Sequence, residues 1–164
     1  ALPEDQLSIA ADHRALHRNF QGYTTDTAST LIGFGSSAIG RLAEGYAQND
    51  VAIGRYASLI SSGELATSKG YRLTQEDRVR AWIIERLMCD FQVDFSTMPD
   101  GFELPDEGFG KANLPLKTLL EEGIVTWRGD VLSVDTQHRF LVRTVASCFD
   151  AYLGEAGRTH ATAA

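Results

Sequence analysis

At 164 residues the chain suits one domain, or a small domain with an appendage, and a compact chain of this size buries roughly 70 % of its unfolded surface. Hydrophobic residues at 43 % and charged residues at 23 % exclude wholesale disorder. Fifteen Lys and Arg against 22 Asp and Glu leave a formal charge of −7, which argues against nucleic acid as the main partner, because phosphate binding needs a clustered positive field.

The opening ALPEDQLSIA has neither a basic nor an apolar stretch, so it does not read as a signal peptide, and its first residue, Ala rather than Met, suggests an excerpt of a longer chain. Residues 1 to 18 begin as a short helix, with Pro3 in its first turn and Glu4 and Asp5 at the positive end of its dipole. Asn19 to Thr25, aromatic and polar without helical period, reads as strand or loop. Leu31-Ile32-Gly33-Phe34-Gly35 reads as a buried strand entering a tight turn.

From Asp50 the pattern turns helical. Asn49 or Asp50 caps a helix whose expected inward face is Ile53, Tyr56, Ala57 and Ile60, with Gly63 as its stop, and Thr67 to Leu73 reads as a short strand. Thr74-Gln75-Glu76-Asp77 opens the strongest helix, with Val79, Trp82, Ile83, Leu87, Met88 and Phe91 on the 3.6-residue period. Residues 96 to 111, rich in Gly, Pro and acids, read as a loop. Leu114 to Glu122 is helical up to Gly123, and Ile124 to Val134 folds back at Arg128-Gly129-Asp130 as a hairpin. Thr136 caps a last helix with Phe140 or Leu141, Val145, Cys148, Phe149 and Tyr152 on one face, and the polar tail from Gly154 is frayed. From Thr74 onward this order is that of a winged helix.

Several constellations invite chemistry. Gly33-Phe34-Gly35-Ser36-Ser37-Ala38 fits the G-x-G-x-x-G/A dinucleotide fingerprint, but the second strand with its terminal acid is missing, so a glycine-loosened strand end for close packing or ligand approach is the better reading. His13 and His17, four apart, would share a helix face as half of a metal site, yet no further ligand is near, and solvated histidines fit better. Cys89 and Cys148 are too few for a disulfide framework or a four-thiolate site and read as core residues of a protein from a reducing cytoplasm. The would-be recognition helix LPLKTLLEEG carries one Lys and two Glu, so it would repel phosphates and suits packing or docking. Arg139 and Arg143 read as a solvated or salt-bridged stripe. No apolar run reaches the roughly 20 residues of a membrane span, so no membrane partner is expected.

His17-Arg18-Asn19-Phe20-Gln21-Gly22-Tyr23-Thr24-Thr25 resembles the HRNFQGYTT stretch of the oxygen-independent coproporphyrinogen III oxidases, radical S-adenosylmethionine enzymes of porphyrin synthesis. LIGFGSSAIG at 31 to 40 is similar to their LxGxGxSAI segment, Tyr46-Ala47-Gln48-Asn49 extends the likeness, and LTQEDRVRAWIIERLMC, 119 to 125 and RFLVRTVASCFDAYL look like their C-terminal helical domain. The resemblance implies an α+β, mainly α fold: residues 1–49 as the C-terminal edge of a partial (β/α) barrel, 50–155 as a winged-helix-like helical domain with a β-hairpin, and 156–164 as a flexible tail.

It further implies decarboxylation of two propionates of coproporphyrinogen III to vinyl groups, giving protoporphyrinogen IX, with S-adenosylmethionine and a [4Fe-4S] cluster as cofactors. The family's C-x-x-x-C-x-x-C motif is absent from this sequence, so the cluster ligands would lie upstream and this piece alone would be inactive, with no cofactor bound to it and no catalytic residue or metal ligand of its own. Its partners would be its own missing N-terminal barrel and the porphyrinogen substrate. By matching motifs, the resemblance places Phe20 and Gln21 near the S-adenosylmethionine pocket and Ile39 against the cofactor, and makes the helices from Asp50 onward a cover over the barrel mouth. Cut from its barrel, the apolar edge from Leu31 to Ile39 should drive a non-native dimer or leave residues 1 to 45 mobile. The alternatives are a winged-helix protein-interaction module without catalysis and a haem-handling paralogue.

Overall fold

The structure, a computed structural model, describes residues 2–104 and 114–153. The expected tail at 156–164 lies outside the described residues, as does much of the expected loop at 96 to 111. The fold mixes α-helices with small antiparallel sheets and divides into two compact units, Ala1–Asp77 and Arg78–Ala164.

In the first unit, Asp5 caps α1 (Gln6–Asp12) by accepting the Leu7 N–H at 2.9 Å. The helix is shorter than its expected span: Arg14 takes the left-handed conformation at φ 55° and His17 opens β1 (His17–Asn19). His13 and His17 therefore share no helix face. Strand β1 pairs with β2 (Gly22–Thr24) through a tight turn in which the Asn19 carboxamide oxygen accepts the N–H groups of Gln21 and Gly22, and Gly22 takes φ 142°.

The strand expected over Leu31 to Gly35 reduces to one antiparallel bridge, Leu31 with Arg41. Beyond it the chain turns through Gly35 at φ 106° and Ser37 at φ 61°, conformations that a continuing strand cannot hold. It then enters β3 (Ile39–Leu42), which pairs with β4 (Gly45–Asn49), which pairs with β5 (Thr67–Arg72). Strands β3 and β4 carry little sequence signal, because Gly40 and Ala47 blunt the alternation that marks a strand.

Helix α2 (Ile53–Ser61) departs from its expected inward face. Ile53 is 74 % exposed, Ala57 and Ile60 are exposed, and Tyr56 and Leu59 are its half-buried positions. Neither Asn49 nor Asp50 is its cap: the helix starts from Ala52 without a side-chain cap, and Asp50 instead braces the entry, accepting the Ala52 N–H at 2.9 Å and pairing with Arg55 at 3.2 Å. Gly63, at φ 76°, ends the helix as expected.

Helix α3 (Gln75–Asp90) opens on a reciprocal cap: the Thr74 hydroxyl accepts the Asp77 N–H, and the Asp77 carboxylate accepts the Thr74 N–H. In the second unit Val79, Ile83, Leu87 and Met88 of this helix pack into a core with Val93, Leu119, Leu132 and Phe149. Phe91 at φ 57° breaks the helix and sends the chain into β6 (Gln92–Asp94), a strand too short to show an alternation of its own. After α4 (Leu114–Glu121), the expected hairpin forms as β7 (Val125–Arg128) and β8 (Val131–Val134), giving the sheet order β6-β8-β7.

The last helix is split. Asp135, not Thr136, supplies the cap, Thr136–Leu141 winds as a 3-10 helix with His138 off helical geometry, and α5 covers only Val142–Ser147. The kink turns Phe140 outward to 77 % exposure while Val145 and Phe149 stay fully buried. Arg139 sits over the Phe91 ring, 4.7 Å from its centroid, so it is more than a solvated stripe residue.

Candidate cofactor-facing site

The three residues singled out for cofactor contact all lie in the first unit. Phe20 stands at the tip of the β1–β2 hairpin, 57 % exposed, and meets the Tyr46 ring edge-on with centroids 5.4 Å apart. Gln21 follows it in the same turn, with its backbone N–H held by Asn19 and the residue exposed. Ile39 begins β3 and is half-buried.

Strand register links these positions. Directly opposed residues of an antiparallel pair share a face, and so do residues two apart along a strand. Ile39 opposes Gln48, and Arg41 opposes Tyr46, so Ile39 and Tyr46 lie on one face of the β3-β4-β5 sheet. Phe20, packed on Tyr46, reaches that same face. Phe20 and Ile39 are thus brought together through Tyr46, with Gln21 beside them on the hairpin.

The glycine-rich segment shapes the edge of this face. A Cβ on Gly33 would stand 2.9 Å from the Ile39 carbonyl oxygen and 3.0 Å from the Ala38 Cβ, so only glycine allows this close passage. The Asn49 side-chain amide donates to the carbonyls of Gly33 at 3.1 Å and Gly35 at 3.0 Å, and the Gly35 N–H donates to the Tyr56 hydroxyl at 3.1 Å. Ser37 N–H reaches the Asp50 carbonyl and Asn49 N–H the Ala38 carbonyl. Asn49 and Tyr56 are the residues that sequence reasoning missed as supports. Their signal was slight: an Asn ahead of a helix looks like a cap, and one Tyr on an amphipathic helix looks like core. The segment leads into a strand instead of heading a helix, so the dinucleotide fingerprint, already the weaker reading, has no helix N-terminus for a pyrophosphate.

A cluster cofactor does not fit the donor set present. Cys89 is buried in the α3 core and Cys148 is half-buried, and among the described residues no group of three or more His, Cys, Asp or Glu side chains comes together to hold a metal. Burial raises the Cys148 thiol above its ordinary value, more than its backbone hydrogen bond lowers it, the reverse of thiolate activation. Among the described residues no helix is long and apolar enough to cross a membrane.

No protein-family model matches the chain. Its likeness to known proteins is nevertheless close. It superposes on the coproporphyrinogen III oxidase HemN of Escherichia coli, a radical SAM enzyme, with a TM-score of 0.83 and 35 % identity, covering 93 % of this chain and 36 % of that one. The oxygen-independent coproporphyrinogen III oxidase of Bradyrhizobium diazoefficiens is 48 % identical over 99 % of this chain and 36 % of its own length. The anaerobic coproporphyrinogen III oxidase 1 of Cereibacter sphaeroides is 37 % identical over 93 % of this chain and 34 % of its own. The chain is a homologue of the oxygen-independent coproporphyrinogen III oxidases, and it spans about 36 % of the length of the first of the curated relatives it matches.

Proposed function

We propose that this chain is the C-terminal part of a cytoplasmic enzyme that oxidatively decarboxylates two propionates of coproporphyrinogen III to vinyl groups, yielding protoporphyrinogen IX, with S-adenosylmethionine as oxidant in anaerobic haem synthesis. The observation that carries it is the 48 % identity to such an oxidase over 99 % of the chain. The relatives give no support to a stand-alone interaction module.

In this reading residues 1–49 continue the edge of a barrel completed by the rest of the polypeptide, while the winged-helix-like plan expected over 50–155 applies from α3 onward, since β5 pairs with β4 and keeps residues 50–77 in the first unit. The order α3, β6, α4 and then the β7–β8 hairpin supports that description. Bound in the whole enzyme, S-adenosylmethionine and its cluster supply the one-electron chemistry that removes hydrogen from a propionate β-carbon. This chain's share is positioning: Ile39 offers the cofactor an apolar wall, Phe20 an aromatic one, and the Gln21 amide both a donor and an acceptor. The Asn49 and Tyr56 hydrogen bonds hold the Gly33–Ser37 turn so that Ile39 stays in place. Helix α4 pairs Lys117 with Glu121 at 3.8 Å and presents no cationic face, which fits packing and not nucleic-acid contact.

The test is turnover by the full-length protein, reconstituted anaerobically with iron and sulfide and given coproporphyrinogen III, S-adenosylmethionine and a reductant. Protoporphyrinogen IX together with 5′-deoxyadenosine is expected, and neither from the 164-residue chain alone. Full-length protein that binds haem tightly and leaves the propionates intact would replace this reading with that of a haem-handling paralogue.

A further inference from the structure

The sheet face that carries Ile39 also carries two cations. Register places Ile39, Gln48 and Lys69 in one row across β3, β4 and β5, and Arg41, Tyr46 and Tyr71 in the next row, all pointing the same way. Among the described residues neither Arg41 nor Lys69 pairs with a carboxylate, although the whole chain carries −7. The Arg41 Nη2 donates to the Ala28 carbonyl at 2.8 Å, which steadies the guanidinium and leaves its remaining donors for a ligand. On the opposite face the central row is Gly40, Ala47 and Gly70, which offers almost no side chain. One face of this sheet is therefore aromatic and cationic, and the other is bare along its central row, with Leu42 and Arg72 in the row beyond it.

We infer that Lys69 and Arg41 bind propionate carboxylates of the tetrapyrrole substrate, with Tyr46 and Tyr71 under its apolar ring system. This deepens the functional reading above and rests on it. The two cations stand diagonally, with Cα atoms roughly 12 Å apart from the strand spacing and rise, too far for both to serve one carboxylate with relaxed side chains. They suit a ligand with several acid groups spread around an apolar body. The shared face matters for the reaction: a propionate tethered at Lys69 or Arg41 is held on the same side of the sheet as Ile39 and Phe20, where the cofactor is placed. The methionine carboxylate of S-adenosylmethionine has the same chemistry and is the competing source of a carboxylate at these residues.

The experiment uses the full-length holoenzyme with Lys69→Gln, Lys69→Arg and Arg41→Gln. Coproporphyrin III, the air-stable oxidised form of the substrate, is titrated by its fluorescence, and S-adenosylmethionine affinity is measured separately. Lys69→Gln and Arg41→Gln should each weaken coproporphyrin binding about tenfold, the loss of one charge-assisted contact. They should raise the KM for coproporphyrinogen III while leaving S-adenosylmethionine affinity unchanged, and Lys69→Arg should restore binding. Unchanged porphyrin affinity in both Gln variants overturns the inference, as does a loss confined to S-adenosylmethionine, which would give these cations to the cofactor. A parent enzyme that neither binds coproporphyrin III nor forms protoporphyrinogen IX fails at the earlier step and overturns the functional reading itself.

Discussion

Asn49→Ala removes the two hydrogen bonds from the Asn49 amide to the Gly33 and Gly35 carbonyls, at 3.1 and 3.0 Å, and leaves two partly buried acceptors without that donor. At about 1 kcal/mol net for each bond the turn loses about 2 kcal/mol, a factor of roughly 30 in its local opening equilibrium. Amide hydrogen exchange reads this directly. The amides of Gly35, Ser37 and Asn49, which donate to Tyr56 Oη, the Asp50 carbonyl and the Ala38 carbonyl, should exchange about 30-fold faster than in the parent, and those of β7 and β8 should not change. Tyr56→Phe removes one bond and should accelerate Gly35 by only about fivefold. The two changes together should fall short of additivity, because both bonds hold the same residue, Gly35. Unchanged protection in Asn49→Ala, or an equal loss across β6, β8 and β7, would refute the claim that Asn49 locks this turn.

Further outcomes can be stated for the rest of the molecule. Phe149→Ala empties a fully buried site and should cost about 3–5 kcal/mol, read as a lower urea midpoint by tryptophan fluorescence. Trp82 and Trp127, the two tryptophans, flank Phe95 at 6.2 and 5.4 Å and so report on that unit. Alkylation of Cys148 should accelerate only at a higher pH than for an unhindered cysteine. Burial raises its folded-state pKa and so lowers the reactive thiolate fraction at any given pH; a midpoint below that of a model thiol would contradict this. The 164-residue chain alone should self-associate through its exposed apolar residues, among them Ile32 at 68 % and Phe34 at 88 %. A monodisperse monomer by light scattering, with residues 1 to 45 fully protected from exchange, would count against it.

The second unit was the more legible half. The 3.6-residue period of Val79, Ile83 and Leu87 and the Arg128-Gly129-Asp130 turn are local signals, and each produced the element it announced. The last helix misled because Phe140 continues the apolar period across a kink that only the His138 backbone reveals. The first unit was less legible: Thr67 to Leu73 produced β5, but β3 and β4 are short and carry Gly40 and Gly45, so neither alternation nor propensity marks them. The candidate site was named through resemblance alone, since Ile39 lies too far along the chain from Phe20 and Gln21 for any spacing argument to join them.

The sequence by itself determined α3 with its Thr74–Asp77 cap, the hairpin and the shortage of sulfur ligands, because each depends on neighbours within a few positions or on simple composition. Only the tertiary structure decided that Phe20 and Ile39 share a sheet face, that Asn49 and Tyr56 hold the glycine turn, and that Arg41 and Lys69 stand beside them. Those are consequences of strand register, which long-range backbone pairing sets and no local pattern in this chain encodes.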